Sequence, residues 1–328
     1  MFFSAAHPPV RRSSASLGNV PLTWDDEDEE RLAEDHHAVV VPINDPRAIC
    51  WAEEALLVAS RTGAVSLFRP NHNPQLLLRW RPDPLAMLVA DGVLAVACAG
   101  YISAWEFPSG DVAWGQSTRL VQDISLVRCG SMLVATGLDR LGRTWLLVVD
   151  EEGGIVLEME IPSRTIAGTE DGGELFLARS TNEGLQKVVL FDPQMFRMLG
   201  MDGAAIYGQL GALPEGTPTP YRLRSLPDGR VMGVTHRGLA VWPGHRVAPR
   251  TLSQGGLACA AMSPDGHRLA MGTDQGNVMI VPFEHATRMP ERLGWVPGGA
   301  RDLAYSPDGR WLAVLGNVCR IWPTGVSG

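Results

Sequence analysis

Lysine is all but missing from this chain: of 28 basic residues only Lys187 is a lysine, so positive charge is carried as guanidinium. Arginine stays charged at every physiological pH, and its planar fork matches carboxylates and phosphates. Long apolar runs are missing too, and no uninterrupted run approaches the ~20 residues that a membrane helix needs. The opening MFFSAAHPPVRRSSASLGNV sets Pro and two Arg behind a very short apolar segment, whereas a secretory signal has its charge first. A cytoplasmic protein with no membrane partner is expected. The five cysteines, Cys50, Cys98, Cys129, Cys259 and Cys319, are widely spaced with no CxxC or Cys/His cluster, and they read as reduced, buried thiols rather than metal ligands. GxxxxGK[ST], HExxH, GxSxG and an Asp-rich calcium loop are all missing. The sequence therefore offers no catalytic residue, no cofactor site and no metal site. Its eight histidines are scattered, and the adjoining His36 and His37 read as solvated junction residues.

What is present is a repeat. MSPDGHRLAMGTDQGNVMI, Met262 to Ile280, recurs in shortened form as YSPDGRWLAVLGNVCRI, Tyr305 to Ile321. In each copy Ser-Pro-Asp-Gly supplies a residue with φ preset near −65° and then one that tolerates positive φ, which makes a turn. A short apolar strand, a second glycine turn and a returning strand follow. From Ala38 onward, short apolar runs alternate with Gly, Pro, Asn and Asp turns without helical periodicity, so the fold class is all-β. Aligned on their middle strands, the repeats start at Leu57, Leu94, Leu133, Leu175, Val231, Leu269 and Leu312. The spacing is 37 to 43 residues except for one of 56, across which lies the Gly/Pro-rich GQLGALPEGTPTP, residues 208 to 220. Seven units at this spacing predict a seven-bladed β-propeller of four-stranded blades over residues 37–323, with 324–328 as a C-terminal tail. The last unit lacks an outer strand, and HAVVVPI, His37 to Ile43, is a lone strand before the first. The N-terminal strand is expected to complete the last blade and close the ring.

These segments resemble the WD40 family of seven-bladed β-propellers. SPDGHRLAMGTDQGNVMIV and SPDGRWLAVLGNVCRIW carry the likeness most strongly, followed by Leu223 to Trp242 and Arg47 to Phe68. The family's strand-ending Trp-Asp is replaced here by Trp105-Glu106, Val149-Asp150, Phe191-Asp192 and Trp322-Pro323, and its Gly-His before the inner strand is missing. Of the polar tetrad typical of the family, Asp274 alone has a match, which implies blades held by apolar stacking. The pattern resembles a divergent bacterial member, and SPDG repeats occur in TolB-like propellers as well. LDRLGRTW, Leu138 to Trp145, resembles a sialidase Asp box, and FPSGDVAW, Phe107 to Trp114, a quinoprotein repeat. Both read as turn stabilisers.

In this family, the loops that lead into the inner strand and those joining the second and third strands share one face. That face would receive Arg47, Arg61, Arg81, Arg119, Arg140, Arg164, Arg179, Arg222, Arg237 and Arg301. Arg47, Arg164 and Arg301 stand 10, 11 and 11 residues before their middle-strand Leu and are expected to ring the channel mouth. Solvated arginines set by codon usage are the plain reading, and an anion-reading face is the functional one. The alignment also puts Cys259, Asp302 and Arg222 at equivalent inner positions, a mixture that is not a catalytic constellation. Residues 1–36 differ in kind: Arg11, Arg12 and Arg31 oppose eight acids within WDDEDEERLAED, so five of the chain's eight net negative charges lie here. A disordered acidic N-terminal tail is expected.

These features point to a non-enzymatic protein–protein interaction scaffold. Its expected contacts are the arginine-rich loop face (Arg47, Arg61, Arg119, Arg164, Arg222, Arg237, Arg301) and the acidic tail (Asp25, Asp26, Glu27, Asp28, Glu29, Glu30), with Trp24 and Leu32 as apolar anchors. The partners would be one or more proteins, including ones with acidic segments. The tail itself is a candidate occupant of the loop face. The alternatives are an accessory or regulatory subunit of a bacterial multi-component machine, for example with an AAA-type ATPase, and a propeller enzyme with a central-channel site. The body has no net positive charge and the tail would repel a polyanion, which argues against nucleic acid.

Overall fold

Glycine and aspartate turns cut the chain into strands of three to eight residues, and these hydrogen-bond only to near neighbours in sequence, apart from the first. The computed structural model describes residues 38–70, 72–81, 83–161, 163–168, 175–179, 185–188, 220–226, 228–235, 238–242, 250–253, 256–283 and 290–325. Strand β1 is Val39–Val41. Blade I comprises β2 (Pro46–Ala52), β3 (Ala55–Ser60), β4 (Ala64–Phe68) and β5 (Gln75–Arg79). Blade II has β6 (Ala86–Ala90), β7 (Val93–Cys98), β8 (Tyr101–Glu106) and β9 (Val112–Ser117). Blade III has β10 (Gln122–Cys129), β11 (Met132–Leu138), β12 (Thr144–Val149) and β13 (Ile155–Glu160). A three-stranded sheet follows, of β14 (Ser163–Gly168), β15 (Leu175–Arg179) and β16 (Leu185–Val188). Blade IV has β17 (Pro220–Ser225), β18 (Val231–Thr235), β19 (Gly238–Trp242) and β20 (Arg250–Ser253). Blade V has β21 (Leu257–Met262), β22 (Arg268–Thr273), β23 (Asn277–Pro282) and β24 (Glu291–Trp295). Blade VI contains β25 (Asp302–Tyr305), β26 (Trp311–Leu315) and β27 (Cys319–Pro323), and β1 is its fourth strand.

All pairings are antiparallel, and successive sheets pack in chain order, inner strand on inner strand except that β21 packs on β18 and β19, until β25 meets β2 and the ring closes. This is a β-propeller of four-stranded blades. The expectation of seven such blades needs correction: six are formed among the described residues, and the fourth unit is a three-stranded sheet. Its last paired strand ends at Val188, and residues 189–219, which hold most of the predicted insertion, lie outside the described residues.

The core lies between blades, so the middle strands are covered on both sides and read as continuous apolar runs. All six residues of β3 are buried, as are all five of β18 and of β19. In blade I alternate residues serve opposite neighbours: Leu56 and Val58 pack with Ala313, Leu315 and Ile321 of blade VI, while Leu57 and Ala59 pack with Leu94, Val96 and Trp105 of blade II. Each such Leu is fully buried, a contribution of roughly 1.5–3 kcal/mol. The alignment of blade I shifts by one residue in consequence. Leu94, Leu133, Leu269 and Leu312 pair with Trp105, Val149, Val281 and Trp322, and these pairs pack with the preceding blade. In blade I that pair is Leu56 with Phe68, not Leu57 with Leu67.

Ring closure rests on β1, whose Val39, Val40 and Val41 pair with Ile321, Arg320 and Cys319. Val41 is buried against Ile49 and Cys319, whereas Val40 is exposed. Among the described residues no helix is long and apolar enough to cross a membrane.

Candidate functional site at the channel mouth

Where the chain enters its inner strands, the ladder carries a recurrent bulge. One residue is extra between Pro46 and Ala48, Ser163 and Thr165, Pro220 and Arg222, and Leu257 and Cys259, so Arg47, Arg164, Tyr221 and Ala258 are the bulged residues. A bulge re-aims the side chain it carries, and here Arg47 meets Asp83 and Tyr221 meets the Leu257 carbonyl. Immediately after it comes the position that pairs with the residue three beyond the middle-strand start: Ala48 with Ala59, Arg222 with Val234, Cys259 with Gly272 and Asp302 with Leu315. The predicted equivalence of Arg222, Cys259 and Asp302 is therefore present in the ladder.

These residues meet. Arg222 and Arg224 are two apart on β17 and so share one side of the strand. Both reach Asp302 on β25, with β21 of blade V between: Arg224 Nη2 donates to Oδ1 at 3.0 Å, and Arg222 Nη1 stands 3.6 Å from the same oxygen. That oxygen also accepts from the Leu303 amide at 2.9 Å. The Cys259 thiol donates to the Ala300 carbonyl at 3.3 Å. Burial pushes its pKa up to about 12, Asp302 adds to the rise, and Arg222 and Arg224 oppose it. Such a thiol stays protonated and is a hydrogen-bond donor rather than a nucleophile. Cys50, raised to about 12 first by burial and then by Asp302, behaves likewise. The Tyr221 hydroxyl donates to the Leu257 carbonyl and ties blade IV to blade V at the rim.

A second group lies across blades VI, I and II. Arg47 Nε is 3.2 Å from Asp83 and 3.7 Å from Asp45, and Arg61 is 3.6 Å from Asp45. Asp45 and Asp83 both hold positive φ, 50° and 58°, where aspartate is tolerated better than most residues. Arg301 donates to the Pro46 carbonyl at 3.3 Å and to that of Gly316. Burial, then the neighbouring Arg47, lowers its pKa from the ordinary value, against a smaller opposing effect of Asp45.

The third group is on blade III. Arg119 forms a two-pronged pair with Glu158 at 2.7 and 2.9 Å, and its guanidinium lies 3.8 Å over the Trp145 ring. Asp139 organises the loop beneath. Its Oδ1 accepts from the amides of Leu141 and Arg143, and its Oδ2 from Arg143 Nε and Trp145 Nε1. Desolvation acts to raise the Asp139 pKa, but these hydrogen bonds prevail and hold it down to about 2. LDRLGRTW is thus a turn built around one carboxylate.

The predicted interaction residues therefore separate into groups. Arg47, Arg61 and Arg301 cluster at one side of the mouth, Arg222 meets Asp302, and Arg119 stands apart on Glu158. Arg164 is on β14 with its side chain outside the described residues, and Arg237, Trp24, Leu32, Asp25, Asp26, Glu27, Asp28, Glu29 and Glu30 lie outside them altogether. Arg81, another arginine of this face, lies 4.0 Å over the Tyr101 ring. Arg224 escaped the sequence reading, although its i, i+2 relation to Arg222 on a strand was the available signal. Among the described residues no group of three His, Cys, Asp or Glu is arranged to hold a metal ion.

The arrangement sets guanidinium forks at a solvent-accessible rim. Arg222 and Arg224 are held by Asp302 while remaining partly open to solvent, their side chains 44% and 53% exposed. An incoming acidic side chain would find the fork already oriented. No protein-family model and no curated protein matches this chain.

Proposed function

We propose that this protein is a non-enzymatic interaction scaffold, a divergent WD40-type propeller of the cytoplasm in which the three-stranded sheet is the remaining, seventh blade. The loop face around the channel mouth binds an acidic segment of a partner protein, and the acidic N-terminal residues 24–32 make a separate contact with a second partner. The observation that carries this reading is the pair Arg222 and Arg224 converging on the single carboxylate of Asp302. Two guanidinium groups on one carboxylate leave unmet capacity for an anion, and the partners are exposed enough for exchange with solvent. A buried, protonated Cys259 beside them supports recognition rather than covalent chemistry. Affinity capture with the full chain tests the proposal. A partner retained by the wild type and by Glu291→Gln, on the outer strand β24, is expected to be lost on Arg222→Glu with Arg224→Glu. Retention by the double variant would refute the assignment of the face.

A further inference from the structure

The opposite face of the ring carries a cleft of about 360 Å³ between blades II and III. It is lined by Leu88, Val93, Ala95 and Trp114 of blade II and by Met132 and Leu133 of blade III. The charged residues lining it are Asp91, Arg128, Asp150 and Glu151.

The ladder explains why this seam is open. At three other seams the residue just beyond the third strand meets the preceding blade. In blades II, V and VI it is Phe107, Phe283 and Thr324, each identified by the same amide bond back to the turn before the second strand, at 2.7, 2.8 and 2.9 Å. Phe107 packs among the buried residues joining blades I and II. Across the blade IV/V seam Arg230 lies 4.9 Å over the Phe283 ring, and across the V/VI seam Arg268 donates to the Thr324 carbonyl. Arg230 and Arg268 occupy the same register position, immediately before the middle-strand start. At these two seams an arginine from one blade thus staples the strand exit of the next, whereas at the I/II seam the same position is the buried Ala55. At the II/III seam that position is Val93, paired with Glu106, and Glu151 stands two residues beyond Val149, the partner of Leu133, as Phe283 and Thr324 stand two beyond Val281 and Trp322. No arginine at that position staples this seam, and an acid stands near the strand exit.

We propose that this cleft docks an extended segment of a partner protein that presents an arginine next to an apolar side chain. The arginine takes the place that Arg230 and Arg268 fill at other seams and pairs with Glu151, and the apolar side chain enters between Leu88, Ala95 and Met132. Charge selects this occupant. Asp91 is neutralised within the protein by Arg128 at 2.5 Å, whereas Glu151 is exposed and makes no ion pair among the described residues. The Asp150 carboxylate fixes the turn that carries Glu151, accepting from the amides of Glu152 and Gly154 at 3.1 and 2.7 Å. Because this surface is distinct from the channel mouth, its failure and that of the loop-face reading are separable.

The test is fluorescence anisotropy on the full chain with a labelled peptide alternating leucine and arginine, and with a leucine–glutamine peptide as reference. The arginine peptide is expected to bind in a salt-sensitive manner, with about tenfold weaker affinity after Glu151→Gln. Glu152→Gln, on the same turn but outside the cleft, is expected to bind as the wild type does. Val93→Arg reinstates the internal staple and is expected to abolish binding while raising the melting temperature. Should that variant misfold, Ala113→Leu fills the cleft from an exposed position without changing charge and is expected to block binding as well. Absence of binding at low ionic strength, equal binding of the glutamine peptide, or binding unaffected by Glu151→Gln and by both cleft-filling changes would overturn the proposal.

Discussion

Arg224 donates to Asp302 at 3.0 Å although the two are 78 residues apart and sit on the inner strands of blades with another blade between them. The contact is made on the accessible surface of the channel mouth, where an ion pair is worth only about 0.2–1 kcal/mol. Its value is positional. Replacing Arg224 with Ala is expected to change the free energy of unfolding by less than about 1 kcal/mol. Urea denaturation measures this, and a much larger loss would make the pair a structural strut instead of an exchangeable one.

The ring closure makes a sharper stability prediction. Val41 is 1% exposed and Val40 is 51% exposed, although both belong to the same three-residue strand. Val41→Ala is expected to cost about 2 kcal/mol and Val40→Ala less than about 0.5 kcal/mol. Equal effects in denaturant would contradict the register of β1 on β27.

Two glycines with similar φ separate backbone strain from packing. At Gly266, φ is +72° and a Cβ would meet nothing within 4 Å, so Gly266→Ala is expected to cost about 1 kcal/mol from strain alone. At Gly276, φ is +90° and a Cβ would come within 2.0 Å of the Val296 carbonyl oxygen, so Gly276→Ala is expected to add about 1–3 kcal/mol of overpacking. Comparison of the two melting curves decides whether the blade V turn is as tight as described.

Asp139 gives a pH signature. Its folded-state pKa of about 2 is below the ordinary carboxylate value near 3.9, so the ionised form stabilises the fold above that ordinary value and the contribution fades as pH falls toward about 2. Asp139→Asn is therefore expected to be less stable than the wild type at pH 7, with the gap closing between about pH 4 and pH 2. Thermal melts across that range check it, and a gap independent of pH would show that charge is not what the turn uses.

Much of the architecture was legible because Ser-Pro-Asp-Gly turns and two-sided apolar strands recur at blade spacing, and because HAVVVPI had no partner strand of its own. The slip at Leu56 and Leu57 shows the limit. Both are fully buried, on opposite sides of β3, and an apolar run carries no mark of which side is which. The site was legible by halves. Topology assigned Arg47, Arg61, Arg222 and Arg301 to one face, but the acids that hold them come from other turns or blades: Asp83 for Arg47, and Asp302 for Arg222 and Arg224. Such pairs depend on how blades stack around the ring, which no local pattern encodes. The open II/III seam was hidden for the same reason, since Val93 and Glu151 become informative only when set beside Arg268 and Thr324.

The loop-face assignment is tested most directly by titrating the full-length chain with a labelled acidic peptide of alternating glutamate and aspartate, alongside the Arg222→Glu and Arg224→Glu double variant. Binding that weakens with salt and falls at least about tenfold in the variant is the predicted result. Binding of equal strength to both proteins, or none to the wild type at low ionic strength, would contradict it.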